Sequence, residues 1–275
     1  MTPTFFWQIT RLMSLSFLVT GFLVIAMLFI GDQNEGDVIA FIGPRTNSRW
    51  TDGRFAVNSY DVRTGHIVSI TPPNLYPQVF NWSSDGAMIA TIARQFGDIT
   101  NPSGLYVMRS DGRDVRLISG DFVVIITTER PPFWTDDNRH LIFQAQQAGS
   151  NNIQFYRGSL DGTPPELVDI NDEDVQNYIQ ELFPNYQRAP NALYTALVDY
   201  RNNQWGLYVV IRGQRQQIYP LTAEEMMPDA PDWSPDSARI AFSKRQNRVP
   251  EVMVLSLTGE VLFDIPQGRY PLWKP

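Results

Sequence analysis

The sequence predicts an all-β protein: a five-bladed β-propeller closed by its own C-terminal strand, preceded by one N-terminal transmembrane helix. Three observations predict it. An aromatic-plus-turn phrase recurs along the chain, a glycine turn recurs in step with it, and an uncharged apolar run stands near the N-terminus. Periods of about 40–50 residues mark propeller blades, each a four-stranded sheet that cannot bury its faces alone.

The sharpest copy of the phrase is Pro231-Asp232-Trp233-Ser234-Pro235-Asp236-Ser237-Ala238-Arg239-Ile240-Ala241-Phe242. Others run from Phe80 to Ala90 and from Pro132 to Phe143, with a degraded copy from Pro184 to Tyr194. A fifth is the terminal Pro271-Leu272-Trp273-Lys274-Pro275. The anchor aromatics Trp82, Trp134, Tyr186, Trp233 and Trp273 step by 52, 52, 47 and 40 residues. Each closes a first strand and is expected to pack between blades, because a large aromatic buries ~150–250 Å2. Pro and Asp suit the turn that follows, and acids such as Asp85, Asp136 and Asp236 are explained there by bonds to local backbone. A short apolar run such as Leu141-Ile142-Phe143 then reads as a buried second strand.

Gly65, Gly112, Gly162, Gly213 and Gly259 give an independent count of five. Each follows a strand-like run, such as Val252-Met253-Val254-Leu255, and precedes another apolar stretch. That is a hairpin between third and fourth strands. The two series are offset: the first glycine turn has no aromatic phrase before it, and the last phrase has no glycine turn after it. Joined circularly, Pro271-Leu272-Trp273 runs into Gly36-Asp37-Val38-Ile39-Ala40. The C-terminus is therefore expected to supply the inner strand of the N-terminal blade, removing open sheet edges.

The Pro-x-Trp-Ser-Pro-Asp phrase, its Ile-Ala-Phe sequel and the later Leu-Tyr-Val-x-x-x-Asp-Gly turn resemble the TolB-like β-propeller repeat. Similar repeats form the propeller of the prolyl oligopeptidase group. The resemblance spans roughly residues 37 to 275 and departs in count, since TolB-type domains generally carry six blades. It implies a fold and a habit of binding other proteins. It supplies no catalytic residue, and fold does not imply function.

From Leu12 to Ile30 no residue is charged. Nineteen residues at ~1.5 Å each span roughly 28 Å, near the ~30 Å hydrocarbon core. Arg11 precedes the run and Asp32, Glu35 and Asp37 follow it. The positive-inside rule then puts a short tail, 1–11, in the cytoplasm, the anchor at 12–30, a linker at 31–36 and the propeller, 37–275, outside. The expected location is the cytoplasmic membrane of a bacterium, single-pass, with the propeller on the periplasmic side. A cleaved signal peptide is the alternative; the run is long for one, and Phe29-Ile30-Gly31 offers no small-x-small site.

The net charge of −7, without a basic run, argues against nucleic acid binding. With no Cys and only His66 and His140, no zinc or transition-metal site and no cofactor is expected. No Gly-x-Ser-x-Gly elbow and no phosphate-binding glycine loop occurs. The acidic stretch Asp169 to Asp174 lacks the glycine and the final carboxylate of a calcium loop. It reads as a helix start over 171–183, with Asn171 as cap, Asp174 at the third helical position, and Val175, Tyr178, Ile179 and Leu182 on one face. The run Phe122 to Thr128 reads either as a core strand or as a docking edge.

Three function classes follow. The first is a non-catalytic interaction module or accessory subunit of a membrane complex. The second is a propeller glycosidase using two carboxylates at the central channel, ~5–9.5 Å apart. The third is a glycan- or small-ligand-binding propeller. The first is favoured, with a protein partner contacted by the least repeat-like pieces: the 44–54 insertion with Arg45, Arg49, Trp50 and Arg54, and the helix with Tyr178.

Overall fold

The computed structural model describes residues 37–95, 103–124, 131–147, 149–150, 152–180, 186–227 and 229–275. The expected anchor at 12–30, the tail and the linker lie outside them. Among the described residues no helix is long and apolar enough to cross a membrane.

These residues form mostly antiparallel sheet, as apolar runs of four to eight residues between turn signals dictate. Sheet A holds β1 (Val38–Pro44), β2 (Phe55–Asp61), β3 (Ile67–Ser69) and the terminal β21 (Arg269–Trp273) in the order β21-β1-β2-β3. Sheet B is β4 (Leu75–Trp82), β5 (Met88–Gln95), β6 (Gly104–Arg109) and β7 (Arg116–Leu117) in chain order. Sheet C runs β12 (Glu166–Val168), β11 (Ile153–Ser159), β10 (His140–Gln146) and β8 (Val123–Val124), with β9 (Phe133–Trp134) also on β10. Sheet D is β13 (Tyr186–Arg188), β14 (Tyr194–Arg201), β15 (Gln204–Ile211) and β16 (Gln214–Leu221). Sheet E is β17 (Asp232–Trp233), β18 (Arg239–Gln246), β19 (Val249–Ser256) and β20 (Val261–Pro266). Four-stranded sheets in succession are what a propeller is made of.

Shared cores join the sheets face to face. Ile42 and Val57 of sheet A pack with Phe80 and Ile89 of sheet B. Leu105 and Val107 of sheet B pack with Leu141 and Phe143 of sheet C. Ala196 and Leu207 of sheet D pack with Ile240 and Phe242 of sheet E. Ile39 and Phe41 of sheet A pack with Ala241 and Val254 of sheet E. The other face of sheet C is covered differently. There Ile142 and Val168 pack with Val175 and Tyr178 of a helix, α1 (Glu173–Gln180).

The C-terminal strand pairs with β1, Trp273 opposite Ile39 and Leu272 opposite Ala40, as the offset of the two repeat series anticipates. Trp82, Trp134, Trp233 and Trp273 are all buried. They sit in one register, opposite Ile89, Leu141, Ile240 and Ile39.

Tyr186 departs from the expectation: it is 47% exposed. The residue in the anchor register of sheet D is Arg188, opposite Thr195. The turn bond confirms the slip, since Ala189 N–H reaches Tyr194 O as Ser234 N–H reaches Arg239 O. The repeat therefore aligns on Ala189-Pro190-Asn191-Ala192, two residues later than the aromatic suggests. Within the turns one side chain does the same work each time. Asp85, Asp137, Asn191 and Asp236 accept the N–H of Ala87, Arg139, Leu193 and Ala238. The acid of the third copy is thus Asp137, and exposed Asp136 has no part in that bond.

Two of the five hairpin glycines are demanded by close approach. A Cβ on Gly112 would lie 2.2 Å from Ile70 O, and one on Gly259 would lie 2.1 Å from Ile218 O. At both, the turn presses on the backbone of the preceding sheet.

Candidate functional site

Strand order divides the surface into two faces. First-to-second and third-to-fourth strand turns lie at one end of every sheet, the turn face. Second-to-third strand loops and the connections between sheets lie at the other, the loop face. Asp37 is at the turn face, where it meets Arg239 at 3.4 Å and Arg63 at 3.8 Å. The 44–54 insertion joins β1 to β2, and α1 joins sheet C to sheet D, so both irregular pieces share the loop face.

Within the insertion the four singled-out residues have unlike fates. Arg45 is spent as a clamp: its Nη1 and Nη2 donate to Thr71 O and Pro72 O, each at 2.7 Å, and burial lowers its pKa. Trp50 is half-buried; its N–H donates to Gln267 Oε1 at 2.7 Å, and its ring meets Phe55 edge-on at 4.5 Å. Phe55 continues the contact to Tyr76 at 5.6 Å, making an aromatic step across sheets A and B. Arg49 and Arg54 are exposed. The Arg54 guanidinium has no hydrogen-bond or ion-pair partner among the described residues.

Tyr178, the remaining candidate contact, is 4% exposed and lies against Phe133 and Phe155, both at 6.0 Å. It belongs to the core under α1, because as the sixth helical residue, three after Val175, it shares the apolar face that packs on sheet C. The helix cap is Asp172 rather than Asn171. Asp172 Oδ1 accepts Asp174 N–H at 3.0 Å, which puts Asp174 at the second helical position. Arg157 of β11 holds this end through Asp172, Asp174 and Glu166. Leu182 of the expected apolar face lies outside the described residues. So do residues 125–128 of the Phe122 run, whose described part is core: Val124 is buried, and Phe122 meets Tyr156 at 4.5 Å.

Sequence reasoning missed a set of acids beside β21. Asp229 Oδ2 accepts the Tyr270 N–H at 3.1 Å, which also reaches Ser243 Oγ at 2.9 Å. Asp232 Oδ2 accepts the Trp273 N–H at 2.7 Å. Both bonds span 41 residues and fasten β17 and the connection before it to the terminal strand. Burial raises the Asp229 pKa against the pull of Arg269, Ser243, the Tyr270 N–H and Arg245. Asp232 is enclosed by protein yet keeps partial solvent access, and burial pushes it up to about 7 against the Trp273 and Trp233 N–H groups. Tyr270 and Gln267 hold φ near +59°, a left-handed conformation that side chains larger than glycine rarely adopt.

A second buried polar group sits between sheets D and E. Lys244 lies 3.6 Å from Glu225 Oε1 and donates to Tyr219 Oη at 3.3 Å. Glu251 stands opposite it across the strands. Burial pulls the Lys244 pKa down, but Tyr219, Glu251 and Glu225 outweigh it and hold it above the usual lysine value. Burial raises Glu251 in turn. Lys244 is thus paired with Glu225 and faces Glu251, as a buried cation requires.

Positions before the anchors, equivalent in register, are Asn81, Phe133, Gln187, Asp232 and Leu272. Among these five positions Asp232 is the one carboxylate. Among the described residues no group of three or more His, Asp or Glu is placed to hold a metal ion. His140 Nδ1 contacts Asp137 Oδ2 at 2.8 Å, and His66 is exposed beside its glycine turn. A cleft of about 520 Å3 runs between β7 and the 159–165 turn, lined by Leu117, Phe122 and Pro164 among others.

No protein-family model matches the chain, and no curated protein is similar enough in sequence to match it. Among solved structures, TolB from Acinetobacter baumannii superposes with a TM-score of 0.47 at 14% identity, over 88% of this chain and 67% of that one. A TolB-like protein from Agrobacterium tumefaciens gives 0.33 at 15% identity, over 84% of this chain and 82% of that one. An oligogalacturonate lyase in complex with manganese gives 0.33 at 15% identity, over 74% of this chain and 54% of that one. Likenesses this distant say nothing about activity, ligand or partner.

Proposed function

We propose that this chain is a non-catalytic, protein-binding propeller of five blades, tethered to the cytoplasmic membrane through 12–30, and that its loop face receives the partner. The observation that carries the reading is the insertion at 44–54. It presents exposed Arg49 and Arg54 beside Trp50, and Arg and Trp are enriched at interface hot spots. Asp37, the first described residue, is at the turn face, the end of the sheets opposite to the insertion. The acids nearest the inner strands, Asp229 and Asp232, are committed to backbone N–H groups, which weighs against the glycosidase alternative and against a glycan or small-ligand site built on them.

The test is purification of the full-length protein from its own membrane in mild detergent, followed by identification of what accompanies it. Replacing Arg49 and Arg54 by Glu is expected to abolish the accompanying protein with the melting temperature unchanged. Adding Trp50→Ala deepens the loss, at some cost in stability through Phe55. A partner retained by the double variant moves the interface elsewhere, and a solitary wild-type chain refutes the reading.

A further inference from the structure

Sheet D is basic in an acidic protein. Residues 186–221 hold Arg188, Arg201, Arg212 and Arg215 against Asp199 alone, a net +3 in a chain of −7. Three of those arginines share one face. Ala196, Val198, Leu207 and Val209 point at sheet E, so the alternate positions of β14 and β15 lie on the opposite face. That face carries Tyr186 and Arg188, opposite Leu197 and Thr195, together with Arg201, and Arg215 opposite Val210.

The charges there are only partly answered. Arg201 and Arg215 both reach the one Asp199 carboxylate, which sets two guanidinium groups side by side with one positive charge in excess. Arg201 is 56% exposed. Arg188 gives one bond, Nη2 to Ala192 O at 3.3 Å, and the residue is exposed. On sheet C, Arg157 is by contrast saturated by three carboxylates. An arginine where the other sheets bury tryptophan, next to an exposed Tyr186, is a surface built for contact rather than for core.

We infer that this face of sheet D, through Arg188, Arg201 and Arg215 with Tyr186, docks an acidic segment of the partner protein. Guanidinium forks suit carboxylates bidentately, and the surrounding negative chain confines such a segment to this strip. The inference rests on the protein-binding reading above and names the chemistry of the partner.

The experiment uses the full chain in mild detergent and fluorescein-labelled deca-glutamate, read by anisotropy at about 50 mM salt, where exposed charges are weakly screened. Wild type is expected to bind it, and Arg188→Ala with Arg201→Ala is expected to weaken binding at least ~10-fold, while the melting temperature stays within a few degrees. Arg109→Ala with Arg113→Ala, exposed arginines of sheet B, leaves it unchanged. Equal binding by the sheet D variant, or no binding by wild type, overturns the assignment. Tighter binding of a deca-thymidine strand than of deca-glutamate overturns it in favour of nucleic acid. A natural partner that co-purifies but is not displaced by deca-glutamate overturns the strip alone, leaving the protein-binding reading in place.

Discussion

The junction between sheets E and A and the surroundings of sheet D's outer face are built from the same repeat with opposite results. At the first, Trp273 is buried, Arg239 lies 4.6 Å over its ring, and two carboxylates take the N–H groups of β21. Elsewhere the anchor indoles add their own links. Trp233 Nε1 donates to Gln187 O at 2.9 Å, while Trp82 and Trp134 reach Leu272 O and Asn81 O at 3.4 and 3.5 Å. Each acceptor is the residue before the anchor position of the preceding sheet. Sheet D has Arg188 in that position, so no indole passes from it to sheet C, and sheet C is capped by α1 instead. A repeat that omits its bolt leaves a face with other work to do.

The largest effect expected is from removing 269–275. That deletion takes away β21, the buried Trp273 and both acceptor–donor bonds, and it exposes the edge of β1. A buried Trp alone is worth about 3–5 kcal/mol. At ~2–4 °C per kcal/mol for a domain of this size, the melting temperature should fall by roughly 10 °C or more. A truncation that melts like the parent breaks the comparison outright.

Next come the anchors themselves. Trp233→Ala should cost about 3–5 kcal/mol, whereas Arg188→Ala, in the same register, should cost less than ~1 kcal/mol. Chemical denaturation of the two variants measures both. Similar losses would mean that Arg188 bolts its junction after all.

The legible and the hidden parts separate on physical grounds. The turn Trp233-Ser234-Pro235-Asp236 is readable because proline and aspartate have local reasons to be there. Closure by the C-terminus is readable because two series that count five are out of phase. The degraded copy misleads because Tyr186 stands two residues before the true anchor register, and aromaticity outweighed the Pro190-Asn191 turn. Asp229 and Asp232 carry no signal, since each bonds a backbone N–H 41 residues away, and any residue supplies one. Arg45 fails for the same reason: carbonyl acceptors leave no trace in composition. Tyr178 was legible as helix, but its burial depends on which sheet lies beneath.

The staples themselves are pH-dependent. A carboxyl whose folded pKa is raised to about 7 stabilises the fold fully below its ordinary value near 4 and loses that contribution as pH rises through 7. Asp229 is shifted in the same direction. Asp232→Asn should therefore flatten the fall in melting temperature between pH 5 and pH 8. Asn81, in the same register of sheet B, shows that an amide fits there. An unchanged slope in the variant would assign the pH dependence to other groups.

The smallest effect sharpens the register argument. Gly86, Asn138, Ala192 and Ser237 fall at one place in the repeat turn, and their φ angles are +63°, +54°, +59° and +57°. A left-handed residue with a Cβ costs roughly 1–2 kcal/mol, less for Asn, which tolerates the region. Ala192 has neither glycine's freedom nor a polar side chain to compensate. Against this, glycine loses about 0.4–1 kcal/mol through the greater entropy of its unfolded chain. Ala192→Gly should then stabilise by a few tenths of a kcal/mol up to about 1 kcal/mol, and Asn138→Gly should gain less. If Ala192→Gly destabilises instead, the turn is not in the conformation that aligns sheet D with its neighbours. The assignment of Arg188 to the anchor position would fall with it.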